Sequence, residues 1–140
     1  MATGAKKVIT NAYVLLNAVD LSKNVESVTL TWAKTDVPVT AMGDGGLMHL
    51  AGLEDNKIEV TFWQDHTAAS VGPTLDAIFA AGTAVAFKIA DAGTSISATN
   101  PSYSGSALAL TYTPVSGKVG DGQQAPLSLV VNGTIAQGTV

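Results

Sequence analysis

The feature that most constrains this chain is a two-residue alternation of apolar and polar side chains, repeated in several short segments. It is clearest in 57-KIEVTFW-63, where Ile58, Val60 and Phe62 fall on one side of a strand and Trp63 falls on the other. The same period recurs in residues 27–32, 84–90, 107–113 and 127–133. The pattern predicts antiparallel β-sheets with one face buried.

Two of these segments place specific aromatic and leucine side chains in the core. In 27–32, Trp32 follows Val28 and Leu30 on the apolar face, so we expect Trp32 to be buried. In 107–113, the apolar face holds Leu108, Leu110 and Tyr112. The more uniformly apolar segment 12–19 predicts a further strand, which turns at Asn17 or within residues 20–24.

One segment, 71-VGPTLDAIFAAG-82, breaks the alternation. Leu75, Ile78 and Phe79 are spaced as on one face of a helix, which predicts a short helix over residues 73–81. Pro73 suits the first helical position, Asp76 the first turn and Gly82 the helix end. Ten residues do not make a stable helix alone, so its apolar stripe must pack on the sheet. The predicted fold is mainly β: an antiparallel β-sandwich or open barrel with one flanking helix.

Long polar or Gly-rich segments separate the strands. Residues 41–56, 91–105 and 114–126 are predicted to be loops, and loops of this length usually contact something or carry a function. No linker divides the chain, so residues 1–140 are interpreted as a single domain.

The composition leaves little charge on the surface. Charged residues are 13% of the chain, about half the usual fraction for a soluble domain, which favours a surface covered by other chains. A small, charge-poor β-domain that stays alone is the alternative. The chain has seven lysines, no arginine and a net charge of −4, which argues against a protein that grips nucleic acid. No membrane span or export signal is evident, so the chain is expected to be made in the cytoplasm.

No catalytic, cofactor or metal site is predicted. Asp65 and His66 are adjacent in sequence, and neighbouring side chains of a strand point to opposite faces, so they do not suit a catalytic dyad. Asp44, His49 and Glu54 share a loop with Asp55 but match no metal-ligand spacing. Asn132-Gly133 is interpreted as a turn before a final strand.

Trp63 is the aromatic side chain expected on the surface. An outward tryptophan on a charge-poor surface favours a protein interface, since aromatic residues anchor buried patches. Stacking on a sugar is the alternative.

The order of these elements resembles the tail tube, or major tail, proteins of long-tailed phages and gene-transfer particles. The resemblance rests on 36-DVPVTAMGD-44, 59-EVTFWQD-65 and 127-LSLVVNGTI-135, with the lone helix between the second and third segments. It implies stacked, usually hexameric rings that form the tube of a virion tail, with other tail proteins as partners and DNA as passing cargo.

The resemblance also implies a role for residues 41–56, which would reach the next ring, while the helix would lie outside the barrel. The residues assigned to this contact are Met42, Asp44, Leu47, Met48, His49, Leu50 and Leu53. Two other functions remain open on the sequence: another virion protein, for capsid decoration or head–tail joining, and a carbohydrate- or surface-binding β-sandwich.

Overall fold

The computed structural model describes Gly4 and residues 6–139, and its architecture is one large antiparallel sheet, a separate hairpin and a helix. The strands are β1 (Tyr13–Leu16), β2 (Val19–Asp20), β3 (Val25–Thr31), β4 (Lys34–Pro38), β5 (His49–Glu54), β6 (Lys57–Trp63), β7 (Val85–Ala90), β8 (Ser102–Tyr112), β9 (Gln124–Val131) and β10 (Ala136–Gly138). The helix α1 spans Val71–Ala81, and a 3-10 turn covers Ser22–Asn24.

The large sheet runs β2-β1-β7-β8-β9-β6-β3, with β10 also paired to β8. Strands β2 and β3 at its two ends do not pair with each other in the described part of the chain, so the sheet is open. The predicted class, mainly β and antiparallel with one short helix, is confirmed.

The core lies on one face of this sheet, where the alternating segments place their apolar side chains. Ile58, Val60 and Phe62 of β6 are buried and stand opposite β9, whose Leu127 and Leu129 are buried in register. The predicted inner faces of 57–63, 84–90 and 127–133 are therefore confirmed. The turn at Asn17 is also confirmed: Asn17 and Ala18 both have positive φ, as the two-residue turn of a tight hairpin requires.

Two core positions predicted from the strand alternation are wrong. Trp32 lies one residue beyond the end of β3 and is 51% exposed. The alternation of 27–32 continues past the last strand residue, so it does not report which side chains the strand buries there. Leu110 is exposed because the pairing of β8 with β9 shifts between Ala109 and Thr111, and an irregularity of this kind re-aims the side chains around it.

The helix begins earlier than predicted. It starts at Val71 after Ser70, so Pro73 is its third residue and the first turn holds no acidic side chain, contrary to the role expected for Asp76. Leu75 and Ile78 are buried as expected, while Phe79 is 45% exposed and contacts Tyr112 at the rim of the sheet. Gly82 ends the helix with φ of 65°, as predicted.

The predicted loops are shorter than expected. Residues 41–56 include strand β5, and residues 91–105 include the start of β8. Gly133, with φ of 108°, turns the chain between β9 and β10, which confirms the turn predicted at Asn132-Gly133.

Candidate functional site: an exposed apolar hairpin

Strands β4 and β5 form a hairpin that stands apart from the large sheet. Val37 pairs with Leu50 and Pro38 with His49, and the Val39 N–H donates to the Met48 carbonyl at 2.9 Å. At the tip, the Asp44 carboxylate accepts the Ala41 N–H at 2.7 Å and so closes the turn. Apart from this pairing, β4 and β5 make few contacts with other strands or the helix in the described chain.

The register gives the hairpin an apolar face and a mixed face. Because side chains alternate along each strand and paired residues share a face, Val37, Val39, Met48 and Leu50 lie together. All four are exposed. The other face holds Pro38, Ala51 and His49, whose Nδ1 lies 2.8 Å from Asp36 Oδ1; Leu53 lies within the register shift between β4 and β5.

The seven residues assigned to the contact from sequence all lie on this hairpin. Met42, Leu47, Met48, Leu50 and Leu53 are exposed and apolar, and Leu53 is 85% exposed. Asp44 closes the tip turn and His49 pairs with Asp36 on the mixed face. Val37 and Val39 belong to the apolar face and were missed, because 36-DVPVT-40 precedes the segment assigned to the loop.

The base of the hairpin is held to the sheet by a buried asparagine. Asn56 is fully buried; its Oδ1 accepts the Ala33 N–H at 2.9 Å and its carbonyl accepts the Val131 N–H at 3.0 Å. The Trp32 indole donates to the Glu54 carboxylate, and this bond holds the pKa of Glu54 below its usual range. These contacts fix the direction in which the hairpin leaves the sheet.

An apolar groove opens beside this base. It has a volume of about 330 Å³ and its walls include Ile9, Val28, Leu30, Trp32 and Tyr103, and we call it the Trp32 groove. Strand β3 and strand β8 lie far apart in the sheet order, so the sheet curls to bring them to one groove. The Trp32 and Tyr103 rings meet edge to face, with centroids 6.1 Å apart. The alternation pattern did not predict this groove, because it placed Trp32 in the core.

A carboxylate lies in the wall of the Trp32 groove. Asp91 Oδ2 pairs with Lys7 at 2.5 Å, and this hydrogen bond holds the pKa of Asp91 below its usual range. Its other oxygen, Oδ1, is buried and has no hydrogen-bond partner among the described residues. A buried acceptor of this kind calls for a donor.

Trp63 is on the surface, as predicted, and is 41% exposed. The loop between β8 and β9 packs over part of its ring: a Cβ added at Gly122 would meet Trp63 Cζ3 at 2.7 Å. A polar pocket beside the ring is also lined by Lys118, Asp121 and Gln124. Trp63 is therefore only partly exposed, because its own chain covers one side of the indole.

The Asp65 carboxylate is engaged by the turn that follows it. The Asp65 carboxylate accepts the Thr67 N–H at 3.0 Å and the hydroxyls of Thr67 and Ser70 at 2.8 Å each. These bonds, led by the Thr67 N–H, hold the pKa of Asp65 below its usual range. The carboxylate thus orders the turn that leads into α1.

Among Gly4 and residues 6–139, no three His, Cys, Asp or Glu side chains come together as metal ligands. None of the helices in this part of the chain has the length and apolar character needed to cross a membrane.

Comparisons with known proteins find likeness in structure and none in sequence. No protein-family model matches the chain, and no curated protein matches it. A chain of the SPP1 tail tube superposes with a TM-score of 0.72 at 14% identity, covering 93% of this chain and 77% of that one. A chain from the sheath/tube terminator of an extracellular contractile injection system (PVC) has a TM-score of 0.70 at 14% identity, covering 97% and 99%.

A third solved structure is the tail of an empty gene-transfer-agent particle with C6 symmetry. Its chain has a TM-score of 0.64 at 13% identity, covering 81% of each chain. Each of these similarities covers at least four-fifths of this chain. The chain therefore has the fold of the subunits found in phage and particle tails and tail tubes.

Proposed function

We propose that this protein is a structural subunit that assembles with copies of itself into the tube of a phage-type tail. The observation that carries the proposal is the shared fold together with a hairpin whose apolar face nothing in the described chain covers. Contiguous apolar surface of this kind marks interaction sites on soluble proteins. Residues 1–140 would act as one tail-tube-like domain.

The assembly we propose is a hexameric ring, stacked into a tube. The C6 symmetry of the gene-transfer-agent tail supports the sixfold ring. The contact to the next ring would be made by the exposed apolar side chains of the hairpin, while Asp44 and His49 shape the strands between them. These apolar residues are Met42, Leu47, Met48, Leu50 and Leu53. A contact in which one surface meets a different surface of a neighbour propagates into rings or filaments.

The charge of the chain suits a channel for DNA. Affinity for DNA comes mainly from cationic side chains that displace counterions from the phosphates. With seven lysines, no arginine and a net charge of −4, the subunit offers DNA few such contacts. DNA would therefore pass along the tube as cargo without being held.

The proposal makes this protein a component of the virion, made in the host cytoplasm, with other tail proteins as partners and no enzymatic activity of its own. The similar chains come from tail and sheath–tube assemblies, which supports these partners. No feature of this structure favours capsid decoration or head–tail joining.

One observation favours a second candidate function. The pocket beside Trp63 places a carboxylate and an amide, from Asp121 and Gln124, next to an exposed indole. Sugar-binding sites combine an aromatic platform with polar groups in this way. We rank it below the tube, because Gly122 already covers part of the ring.

Light scattering over a series of protein concentrations separates the two functions. A tube subunit is expected to gain mass steeply with concentration, and a sugar-binding module is expected to remain at the monomer mass of 14.2 kDa. A monomer that binds glycans, and loses that binding in Trp63→Ala, would replace the tube proposal with the second candidate.

A further inference from the structure

We propose that the Trp32 groove of one copy receives the apolar hairpin face, Val37, Val39, Met48 and Leu50, of another copy. This inference rests on the proposed function and adds to it the surface that the hairpin recognises. Neither surface has a partner in the described part of the chain: the four hairpin side chains are exposed, and the groove is open between β3 and β8.

The two surfaces match in chemistry. The hairpin face carries two valines, a methionine and a leucine and no charge. The groove is lined by aliphatic and aromatic side chains, with Asp91 as its only charged residue among those that line it. Burying both surfaces in one contact removes apolar area from water on each side, which drives association.

A chain does not fill its own groove. The groove lies at the hairpin base, where Trp32 precedes Ala33 and β4, and none of Val37, Val39, Met48 and Leu50 lines it. These four side chains stay exposed in the single chain. In the proposed contact the face therefore comes from another copy, and the contact joins different surfaces on each.

Such a contact leaves a binding surface free on each copy that joins. Each copy has one hairpin and one groove, so a copy that donates its hairpin still has a free groove for the next copy. This arrangement builds rings or filaments, as a tube subunit requires.

Cross-linking between single-cysteine copies tests this contact, because the natural chain has no cysteine. One copy carries Leu50→Cys and a second, distinguished by a size tag, carries Ile9→Cys at the groove rim; a short bis-maleimide then joins thiols that lie close together. The matched control is Ala51→Cys, which is exposed on the opposite face of the same hairpin.

The expected result is a mixed cross-linked product at least fivefold more abundant for Leu50→Cys than for Ala51→Cys. If the mixture assembles into tubes and the two hairpin positions cross-link equally or not at all, the groove is not the receptor and the proposed function still stands. If the unmodified protein forms no assembly at any concentration, the proposed function fails and this inference fails with it.

A groove variant provides an independent check. Ile9→Glu puts a charge at the exposed rim, and Val119→Glu puts the same charge on an exposed valine of the β8–β9 loop. We expect Ile9→Glu to raise the concentration needed for assembly by tenfold or more and Val119→Glu to leave it unchanged. Equal effects of the two variants would overturn the assignment.

Discussion

Asn56 Oδ1 accepts a hydrogen bond from the backbone N–H of Ala33, and this 2.9 Å contact joins the two ends of the exposed hairpin where they meet the sheet. Asn56 is the only charged or amide side chain among the fully buried large residues of the described chain. Removing one partner of a buried hydrogen bond leaves the other unsatisfied.

The first prediction concerns this base. Asn56→Ala is expected to lower the free energy of unfolding by about 1–3 kcal/mol, because the partly buried Ala33 N–H loses its acceptor. Urea unfolding measures the change. Asn132→Ala, at an exposed turn, is the matched control and is expected to shift stability by less than about 0.5 kcal/mol. Equal losses in both variants would show that Asn56 does not hold the base.

The second prediction compares two phenylalanines. Phe62 is fully buried in β6, whereas Phe79 is 45% exposed on α1. Phe62→Ala is expected to cost about 3–5 kcal/mol through lost burial and the cavity it leaves. Phe79→Ala is expected to cost about 1 kcal/mol, the scale of its contact with Tyr112. Urea unfolding of the two variants checks this order, and a larger loss at Phe79 would contradict the assigned core.

The third prediction separates folding from assembly. Replacing Met48 and Leu50 with glutamate charges the apolar hairpin face, which makes few contacts with the rest of the described chain. The free energy of unfolding of the monomer is expected to change by less than about 1 kcal/mol. Assembly, followed by light scattering, is expected to be lost.

The control for the hairpin places the same charges on the loop between β8 and β9. Val115→Glu with Val119→Glu changes two exposed valines outside the hairpin and the Trp32 groove. If the hairpin variant formed normal tubes, the hairpin would not be part of the assembly contact.

The fourth prediction concerns acid stability. The pKa of Asp65 lies below its usual range because the Thr67 N–H, and then the Ser70 and Thr67 hydroxyls, donate to the carboxylate. A folded pKa below the unfolded value stabilises the fold above the unfolded pKa of about 3.9, and this contribution is lost as pH falls through the folded pKa.

Thermal unfolding from about pH 7 to about pH 2 tests this linkage. Asp65→Asn is expected to lower Tm near neutral pH, and the gap to the wild type should close as the pH falls below the folded pKa. Asp121→Asn changes the same charge in an exposed loop and serves as the control. A gap that stays constant down to low pH would contradict a role for the ionised carboxylate.

The alternation of side chains predicted the core strands because burial on one face leaves a period of two in the sequence. Strands β6 and β9 show it over their whole length and β7 shows it as far as Ile89, and their inner residues are buried. Strand β4 has no buried residue and β5 has none either, so neither had to keep such a period. For this reason the sequence predicted a loop over residues 41–56, where the chain forms the tip and second strand of the hairpin.

The two wrong core positions have local causes that composition does not reveal. At Trp32 the strand has ended, and at Leu110 the pairing with β9 slips beside Ala109. The Trp32 groove was missed for a related reason: it depends on the curl that brings β3 opposite Tyr103, which is a property of the whole sheet. Trp63, by contrast, was placed correctly because β6 is regular up to its last residue.

Negative-stain electron microscopy of the purified wild-type protein over a concentration series tests the central claim most directly. The account predicts rings of sixfold symmetry at lower concentration and hollow tubes of the same diameter at higher concentration, with Met48→Glu/Leu50→Glu yielding neither. A wild-type protein that remains a dispersed monomer at every concentration, or that forms only closed dimers, would contradict it.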